Sequence, residues 1–166
     1  MQMYRREHYL AKLRPFYDDA GLIKVVTGIR RCGKSSLLCS VMDELRERGV
    51  VEGNICYINL DRREYQDVNT PEKLDAVIEH SLGKSASMRY LFIDEIQNVK
   101  GYETIVNGWR EEGDCSIFIT GSNSYLLSGE LATKLTGRYI ELEMFTLSFN
   151  EYLGMREYLG LPKKPE

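Results

Sequence analysis

The 166-residue chain carries 25 acidic and 22 basic residues, which gives a formal net charge of −3. A domain whose main task is to hold a nucleic-acid backbone normally has a basic surface, so this composition leaves nucleic-acid binding unsupported. No apolar stretch approaches the ~20 residues needed to span a bilayer. The first residues, MQMYRREHYL, also lack the apolar core of a secretory signal, so we expect a cytoplasmic protein without a membrane partner.

The four cysteines, at positions 32, 39, 56 and 115, form no C-x-x-C pair, and the chain has only two histidines. Zinc centres need closely spaced Cys and His ligands, so we expect no metal site of this kind. Cys39 and Cys56 lie among apolar residues and are expected to pack as small hydrophobic side chains. Reduced thiols are the expected state in the cytoplasm.

In chain order, residues 7–19 predict a short helical region that Pro15 interrupts. Five short segments rich in Ile, Val, Phe and Tyr then predict buried strands, at residues 23–27, 54–60, 89–93, 115–120 and 138–143. Amphipathic helices are predicted between most of them, at residues 34–48, 70–82 and 102–112. Strands that alternate with helices indicate a parallel sheet covered on both faces, which is a three-layer α/β fold.

The pattern changes after residue 143. Residues 148–159 predict a last helix, opened by a capping box of Ser148 and Glu151, and the final LPKKPE is typical of a linker. The sequence therefore predicts three parts: an N-terminal helical segment that packs on the domain (1–20), the α/β domain itself (21–147), and a C-terminal helix with the start of a linker (148–166).

The central motif is G-I-R-R-C-G-K-S at residues 28–35, which matches the P-loop pattern G-x-x-x-x-G-K-[ST]. A predicted strand leads into it and an amphipathic helix leaves it, which is the context in which backbone N–H groups and the helix N-terminus bind phosphate. The motif predicts that Lys34 reaches the β- and γ-phosphates and that the Ser35 hydroxyl binds Mg²⁺. The predicted nucleotide-binding residues are Gly28, Ile29, Arg30, Arg31, Cys32, Gly33, Lys34, Ser35 and Ser36. The alternative is a glycine turn that binds nothing.

A second candidate element is RYLFIDEIQ at residues 89–97, in which an apolar strand ends in Asp94 and Glu95. Asp94 is placed to hold magnesium through water, as the Walker B carboxylate does. Glu95 is placed to polarise the water that attacks the γ-phosphate, a role that a hydrolase needs. Taken alone, two acidic residues after a strand also suit the solvated start of a helix.

Two further groups are candidates for catalysis. The strand at residues 115–120 ends near Thr120, Ser122 and Asn123, which could lie close to the γ-phosphate, although a turn that caps the next helix explains them equally well. Arg138, at the start of the fifth predicted strand, could offset charge in the transition state, in cis or from a neighbouring subunit. An ordinary surface arginine is the alternative.

These residues resemble an AAA-type ATPase, and more narrowly a prokaryotic family of ATP-binding proteins. The resemblance is carried by VVTGIRRCGKSSLL, YLFIDEIQNV, FITGSNSYLLS and LATKLTGRYIELEMFTLSFNEYL. It implies a P-loop fold of five parallel strands in the order 5-1-4-3-2, with an added strand between the Walker strands. It also implies ATP with Mg²⁺ as ligands, Ser35 and Asp94 as the metal-binding residues, and a polar sensor near Ser122 and Asn123.

Members of that family usually continue into a C-terminal domain of unknown role, which this chain lacks. The leading hypothesis is an ATPase that drives or switches such an attached domain. A homo-oligomer is the candidate assembly. The second hypothesis is a nucleotide-gated binding module with little turnover. A nucleotide-dependent DNA-binding protein rests only on small arginine clusters, and a P-loop kinase gives Glu95 no clear purpose.

Overall fold

The computed structural model describes residues 3–122 and 131–162. Five strands form one parallel sheet in the order β2-β3-β4-β1-β5, which confirms the predicted order. The strands are β1 (Ile23–Gly28), β2 (Ile55–Asn59), β3 (Arg89–Asp94), β4 (Cys115–Ser122) and β5 (Tyr139–Met144). Every residue of β1 and β3 is buried, because these inner strands are covered on both faces.

The predicted helices are present with small differences at their ends, and a short helix at Leu131–Lys134 was not predicted. They are α1 (Glu7–Leu13), α2 (Lys34–Glu47), α3 (Pro71–Ser81), α4 (Tyr102–Glu111), α5 (Leu131–Lys134) and α6 (Phe149–Tyr158). The first helix is shorter than predicted, because the segment around Pro15 continues as a 3₁₀ turn. Within the described residues, no helix is long and apolar enough to cross a membrane.

The sheet separates two hydrophobic layers. On one face, α3 and α4 pack Leu74, Ile78 and Val106 against the strands. On the other face, α2 and the N-terminal segment form a second cluster in which Phe92 and Phe118 stack with ring centroids 4.7 Å apart. The N-terminal segment contributes four buried side chains to this second cluster: Tyr9, Leu10, Leu13 and Tyr17.

Polar contacts also hold the N-terminal segment against α2. The Glu44 carboxylate accepts hydrogen bonds from Arg14, at 2.7 and 3.0 Å, and from the Tyr17 hydroxyl at 2.9 Å. The hydrogen bonds from the Arg14 guanidinium hold the pKa of Glu44 below its usual value. Since α2 begins at the P-loop motif, the N-terminal segment and this motif belong to one packed unit.

The amino end of the sheet contains a buried lysine in an unusual setting. Lys24 is fully buried on β1, and its ammonium group donates to the carbonyls of Asp19 and Leu22 and to the Ser116 hydroxyl on β4. Burial lowers the pKa of Lys24 to about 8. The Ser116 hydroxyl in turn donates to the Tyr17 carbonyl at 2.6 Å.

Candidate functional site

The loop between β1 and α2 has the backbone that the motif requires. A Cβ atom at Gly28 would lie 2.6 Å from Cys32 Sγ and 2.6 Å from the Met144 carbonyl oxygen, so only glycine fits there. Arg31 has φ 65°, and Gly33, the N-cap residue immediately before α2, has φ 102°. These positive values curl the loop into a compact turn ahead of the helix N-terminus.

Lys34 points back across this loop. Its side chain is almost fully buried, and its Nζ atom donates to the carbonyl oxygens of Gly28 at 3.0 Å and Ile29 at 3.1 Å. The nearest described carboxylate is Glu95, with Oε1 at 4.0 Å from Nζ. The ammonium group is therefore held at the mouth of the loop by neutral carbonyl oxygens, which a charged phosphate can replace.

Asp94, at the end of β3, is fully buried and receives three side-chain hydrogen bonds. The Tyr57 hydroxyl donates to Oδ2 at 3.0 Å and Asn59 Nδ2 donates to the same atom at 3.3 Å, while the Thr120 hydroxyl donates to Oδ1. Burial, followed by the nearby charge of Asp94, raises the pKa of Tyr57, so its phenol stays a donor. These donors stabilise a buried carboxylate that would otherwise be costly.

Glu95 follows Asp94 in a left-handed backbone conformation, with φ 60° and ψ 49°. Its N–H donates to the Thr120 hydroxyl at 3.0 Å, and its carboxylate accepts a hydrogen bond from the Gln97 amide. Thr120 therefore contacts both acidic residues, donating to one side chain and accepting from the next N–H. A non-glycine residue in this conformation is strained unless its surroundings fix it, and strained residues of this kind cluster at functional sites.

The oxygen groups at this edge of the sheet fit a magnesium ion. An ionised carboxylate has about four lone-pair sites, and three donors use those of Asp94, which leaves one for a water bound to the ion. The exposed Ser35, the second residue of α2, supplies a hydroxyl. Magnesium prefers oxygen ligands and keeps several of its waters, and Ser35 and Asp94 suit that preference.

The other candidate residues are placed differently. Ser122 lies in register with Gly28 at the carboxyl end of β4, beside the loop. Asn123 lies outside the described residues. The role of Arg138, in cis or from a neighbouring subunit, stays a prediction. Arg138 precedes β5, whose Tyr139 pairs with Ile23 at the start of β1, at the edge of the sheet opposite the loop. Five residues of strand, roughly 17 Å at about 3.3 Å per residue, separate that level from Gly28.

An apolar cavity of about 340 Å³ opens beside the loop. The loop residues Arg31, Cys32 and Gly33 form one wall. The opposite walls come from the two ends of the described chain and from α2, and include Tyr4, Leu37, Leu147, Met155 and Tyr158. A pocket of this size and character suits a flat, mostly apolar group joined to a phosphate chain.

Four contributors to this site were missed from the sequence: Arg6, Tyr57, Asn59 and Gln97. The sequence held a signal for two of them: Tyr57 and Asn59 are two residues apart on β2 and therefore share a face near its carboxyl end. Gln97 sits two residues after Glu95 in a 3₁₀ turn that the strand pattern did not reveal. For Arg6 no sequence signal was present, since it reaches the loop from 26 residues away.

A family model described as "AAA domain" matches residues 21–153. An uncharacterized protein of Haemophilus influenzae is 45% identical to this chain over 151 residues. That alignment covers 91% of this chain and 38% of the Haemophilus protein, so the chain spans well under half the length of this curated relative.

Solved structures share the fold at low identity. The Orc1 protein of Aeropyrum pernix, in complex with DNA, superposes with a TM-score of 0.66 at 13% identity, covering 96% of this chain and 50% of that one. Hsp104, in its closed state with ATPγS and casein, gives a TM-score of 0.62 at 16% identity, covering 95% of this chain and 29% of that one. At these identities the likeness concerns the fold alone.

Proposed function

This chain belongs to the AAA domain family, and from that premise we propose that it binds ATP with Mg²⁺ and hydrolyses it to ADP and phosphate. The observation that carries the proposal is the convergence of Lys34 with Glu95 at the carboxyl end of the sheet, 4.0 Å apart. A P-loop alone supports binding only. The carboxylate beside its lysine adds a group that can act on water.

Binding of the triphosphate uses the compact loop and Lys34. The backbone N–H groups at the start of α2 bind the β-phosphate, helped by the partial positive charge of the helix N-terminus. The Lys34 ammonium exchanges its bonds to the Gly28 and Ile29 carbonyls for phosphate oxygens. The base enters the apolar cavity beside the loop, and Hsp104, which shares the fold, is described with the ATP analogue ATPγS.

Ser35 and Asp94 would hold Mg²⁺, one by its hydroxyl and the other through a bound water. When bound, the ion neutralises part of the phosphate charge. Tyr57 and Asn59 keep the Asp94 carboxylate fixed in place, because both donate to it.

Hydrolysis requires a base close to the γ-phosphate. Glu95 accepts a proton from the attacking water, whose oxygen forms a bond to the γ-phosphorus while the bond from that phosphorus to the β–γ bridging oxygen breaks. The electron pair leaves on the ADP oxygen. Thr120 fixes the backbone from which the Glu95 carboxylate projects.

The proposal is tested by titrating the purified chain with Mg-ATP in a calorimeter and by measuring phosphate release. We expect saturable binding, and turnover that needs both Mg²⁺ and Glu95. Mg-GTP is the comparison ligand for the base. If neither Mg-ATP nor Mg-GTP gave binding heat, the proposed nucleotide-binding site would be excluded.

One observation favours the alternative of a nucleotide-gated module with little turnover: Arg138 lies at the edge of the sheet opposite the loop. Phosphate release measured against protein concentration separates the two functions. Turnover per chain that rises with concentration supports hydrolysis completed by a second copy. A rate near zero at every concentration, with binding intact, supports the gated module.

A further inference from the structure

Arg6 is a buried arginine whose guanidinium hydrogen-bonds to the phosphate-binding loop, to the segment after β5 and to α6. It also lies over the Tyr9 ring, with Cζ 4.5 Å from the ring centroid. Only 8% of the residue is exposed. Its Nη1 atom donates to the Cys32 carbonyl in the loop and to the Phe145 carbonyl after β5, both at 2.9 Å. Its Nη2 atom donates to the Thr146 carbonyl at 3.3 Å. A guanidinium therefore sits where three backbone carbonyls converge.

The same guanidinium is fixed by a carboxylate on the last helix. Arg6 Nε donates to Glu151 Oε1 at 2.7 Å and Arg6 Nη2 to Oε2 at 2.9 Å, which is a bidentate pair. These hydrogen bonds lower the pKa of Glu151 to about 2. Glu151 also completes the capping box of α6 with Ser148. The loop carbonyl, Arg6 and the start of α6 thus form one continuous chain of contacts.

The bond to the Cys32 carbonyl has a consequence for the neighbouring amide. A trans peptide is planar, so the Cys32 C=O and the Gly33 N–H point in opposite directions. With the Cys32 carbonyl bonded to Arg6, the Gly33 N–H points away from the Arg6 guanidinium. In the proposed binding mode this N–H faces the phosphate. The Gly33 φ of 102° allows this orientation without strain because glycine has no Cβ.

We propose that Arg6 is a positioning residue of the phosphate-binding loop: it holds the Cys32 carbonyl outward, which presents the Gly33 N–H to phosphate, and it links this loop to α6 through Glu151. The inference rests on the proposed nucleotide binding. It adds a residue from the N-terminal segment that the P-loop pattern does not contain. The link also means that phosphate binding and the docking of α6 stabilise each other.

The test compares Arg6→Met with Arg5→Met in the full chain. Arg5 is the matched control, because it also pairs with a carboxylate, Glu47 on α2, but forms no hydrogen bond or ion pair with the loop within the described residues. We expect Arg6→Met to weaken Mg-ATP binding about tenfold to hundredfold, the effect of misplacing one charge-assisted donor. The control is expected to change affinity less than twofold. Equal affinity of Arg6→Met and wild type would overturn the proposal.

Tripolyphosphate with Mg²⁺ separates the loop from the cavity, since Arg6 also lines the cavity beside the loop. The probe has phosphates but no base, so it should lose the same factor as Mg-ATP in Arg6→Met. A loss confined to Mg-ATP would show that Arg6 acts only as a cavity wall, against the proposal. If wild type binds neither Mg-ATP nor tripolyphosphate, both the proposed function and the role of Arg6 fail. If wild type binds both ligands and Arg6→Met binds them equally well, only the role of Arg6 fails.

A milder variant covers the case in which Arg6→Met does not fold. Glu151→Gln keeps the Arg6 donors but removes the charge that fixes them, so we expect a smaller loss of tripolyphosphate affinity, about threefold to tenfold. In the nucleotide-free protein, the Cys32 carbonyl carbon and the Gly33 amide should shift together in NMR spectra of this variant. Unchanged signals and unchanged affinity would overturn the proposal.

Discussion

The polar side chains at the two ends of the β-sheet have different partners. At the amino end, Lys24 donates to two carbonyls and to Ser116, and Arg89 pairs with Glu112 and Asp114. At the carboxyl end, the hydrogen bonds of Lys34 within the described residues are to the Gly28 and Ile29 carbonyls of its own loop. The amino-end contacts include a bond between neighbouring strands, from Lys24 on β1 to Ser116 on β4, whereas the loop carbonyls bound by Lys34 can be replaced by phosphate.

This difference separates polar groups that serve folding from polar groups that serve a ligand. Lys24 and Lys34 are both buried lysines at the ends of β1, one at its start and one after its end. Burial alone therefore does not distinguish a functional lysine. The difference is that Lys24 also donates to Ser116 on the neighbouring strand β4, whereas the described hydrogen bonds of Lys34 are to carbonyls of the loop proposed to hold phosphate.

The largest effect is expected for Lys34→Ala, which should weaken Mg-ATP binding about a thousandfold or more, because it removes the cation that meets two phosphates. Lys24→Met is the matched variant, and its Mg-ATP affinity should stay within twofold of wild type. Calorimetry measures both, with circular dichroism to confirm folding. Equal losses of Mg-ATP affinity in the two variants would contradict the proposed difference between the two ends of the sheet.

Glu95→Gln should reduce turnover about a hundredfold while Mg-ATP affinity changes little, because the amide cannot take the proton from water. Steady-state phosphate release and binding are measured in parallel. The control is Glu112→Gln at the amino end, which weakens a contact to Arg89 and should leave turnover unchanged. Wild-type turnover in Glu95→Gln would remove Glu95 from the proposed role.

Two substitutions on β4 test the two ends of the sheet separately: Thr120→Val changes the carboxyl end, and Ser116→Ala changes the amino end. Thr120→Val keeps the shape but leaves Asp94 and the Glu95 N–H without their shared partner, so we expect kcat to fall about tenfold with a smaller change in KM. Ser116→Ala should instead lower the free energy of unfolding by about 1–3 kcal/mol and spare kcat. If both variants lowered kcat, the cause would be a general disturbance of β4 and not the loss of the Thr120 contacts.

The smallest effect concerns pH and belongs to the amino end alone. The pKa of Lys24 is about 8 in the folded chain and near 10.5 in the unfolded one, so the unfolded state binds more protons between these values. The contribution of Lys24 to stability should therefore rise with pH across this window, by about 1 kcal/mol between pH 8 and 9. Buried thiols whose pKa is raised, such as Cys56, act in the opposite direction. Urea unfolding at both pH values is therefore compared between wild type and Lys24→Met, and the difference between the two proteins measures the Lys24 contribution.

The fold could be predicted well because its signals are local. Apolar strands alternate with amphipathic helices, and the glycine loop lies between a strand and a helix, so a parallel sheet follows. Asp94 and Glu95 could be related to the loop for a similar reason. Residues that follow parallel strands meet at one edge of the sheet. The same rule places Arg138 at the opposite edge, because it precedes a parallel strand.

The remaining parts of the site depend on contacts between distant residues. Tyr57 and Asn59 reach Asp94 only because β2 pairs with β3, and their spacing on β2 alone does not reveal that neighbour. The contacts of Arg6 are harder still to predict, since no pattern in or near MYRREHYL indicates that Arg6 binds the loop or α6. Such contacts are fixed by packing in three dimensions, which a single sequence does not record.

The packing of the N-terminal segment sets a lower limit on the size of an independently stable unit. The family match begins at residue 21, yet Tyr9, Leu10, Leu13 and Tyr17 are among the most buried side chains of the protein. At about 1.5–3 kcal/mol for each buried hydrophobic side chain, their removal would cost an amount similar to the whole stability of an ordinary domain. A fragment cut at the alignment boundary would expose the apolar face of α2 and aggregate, whatever its nucleotide site could do.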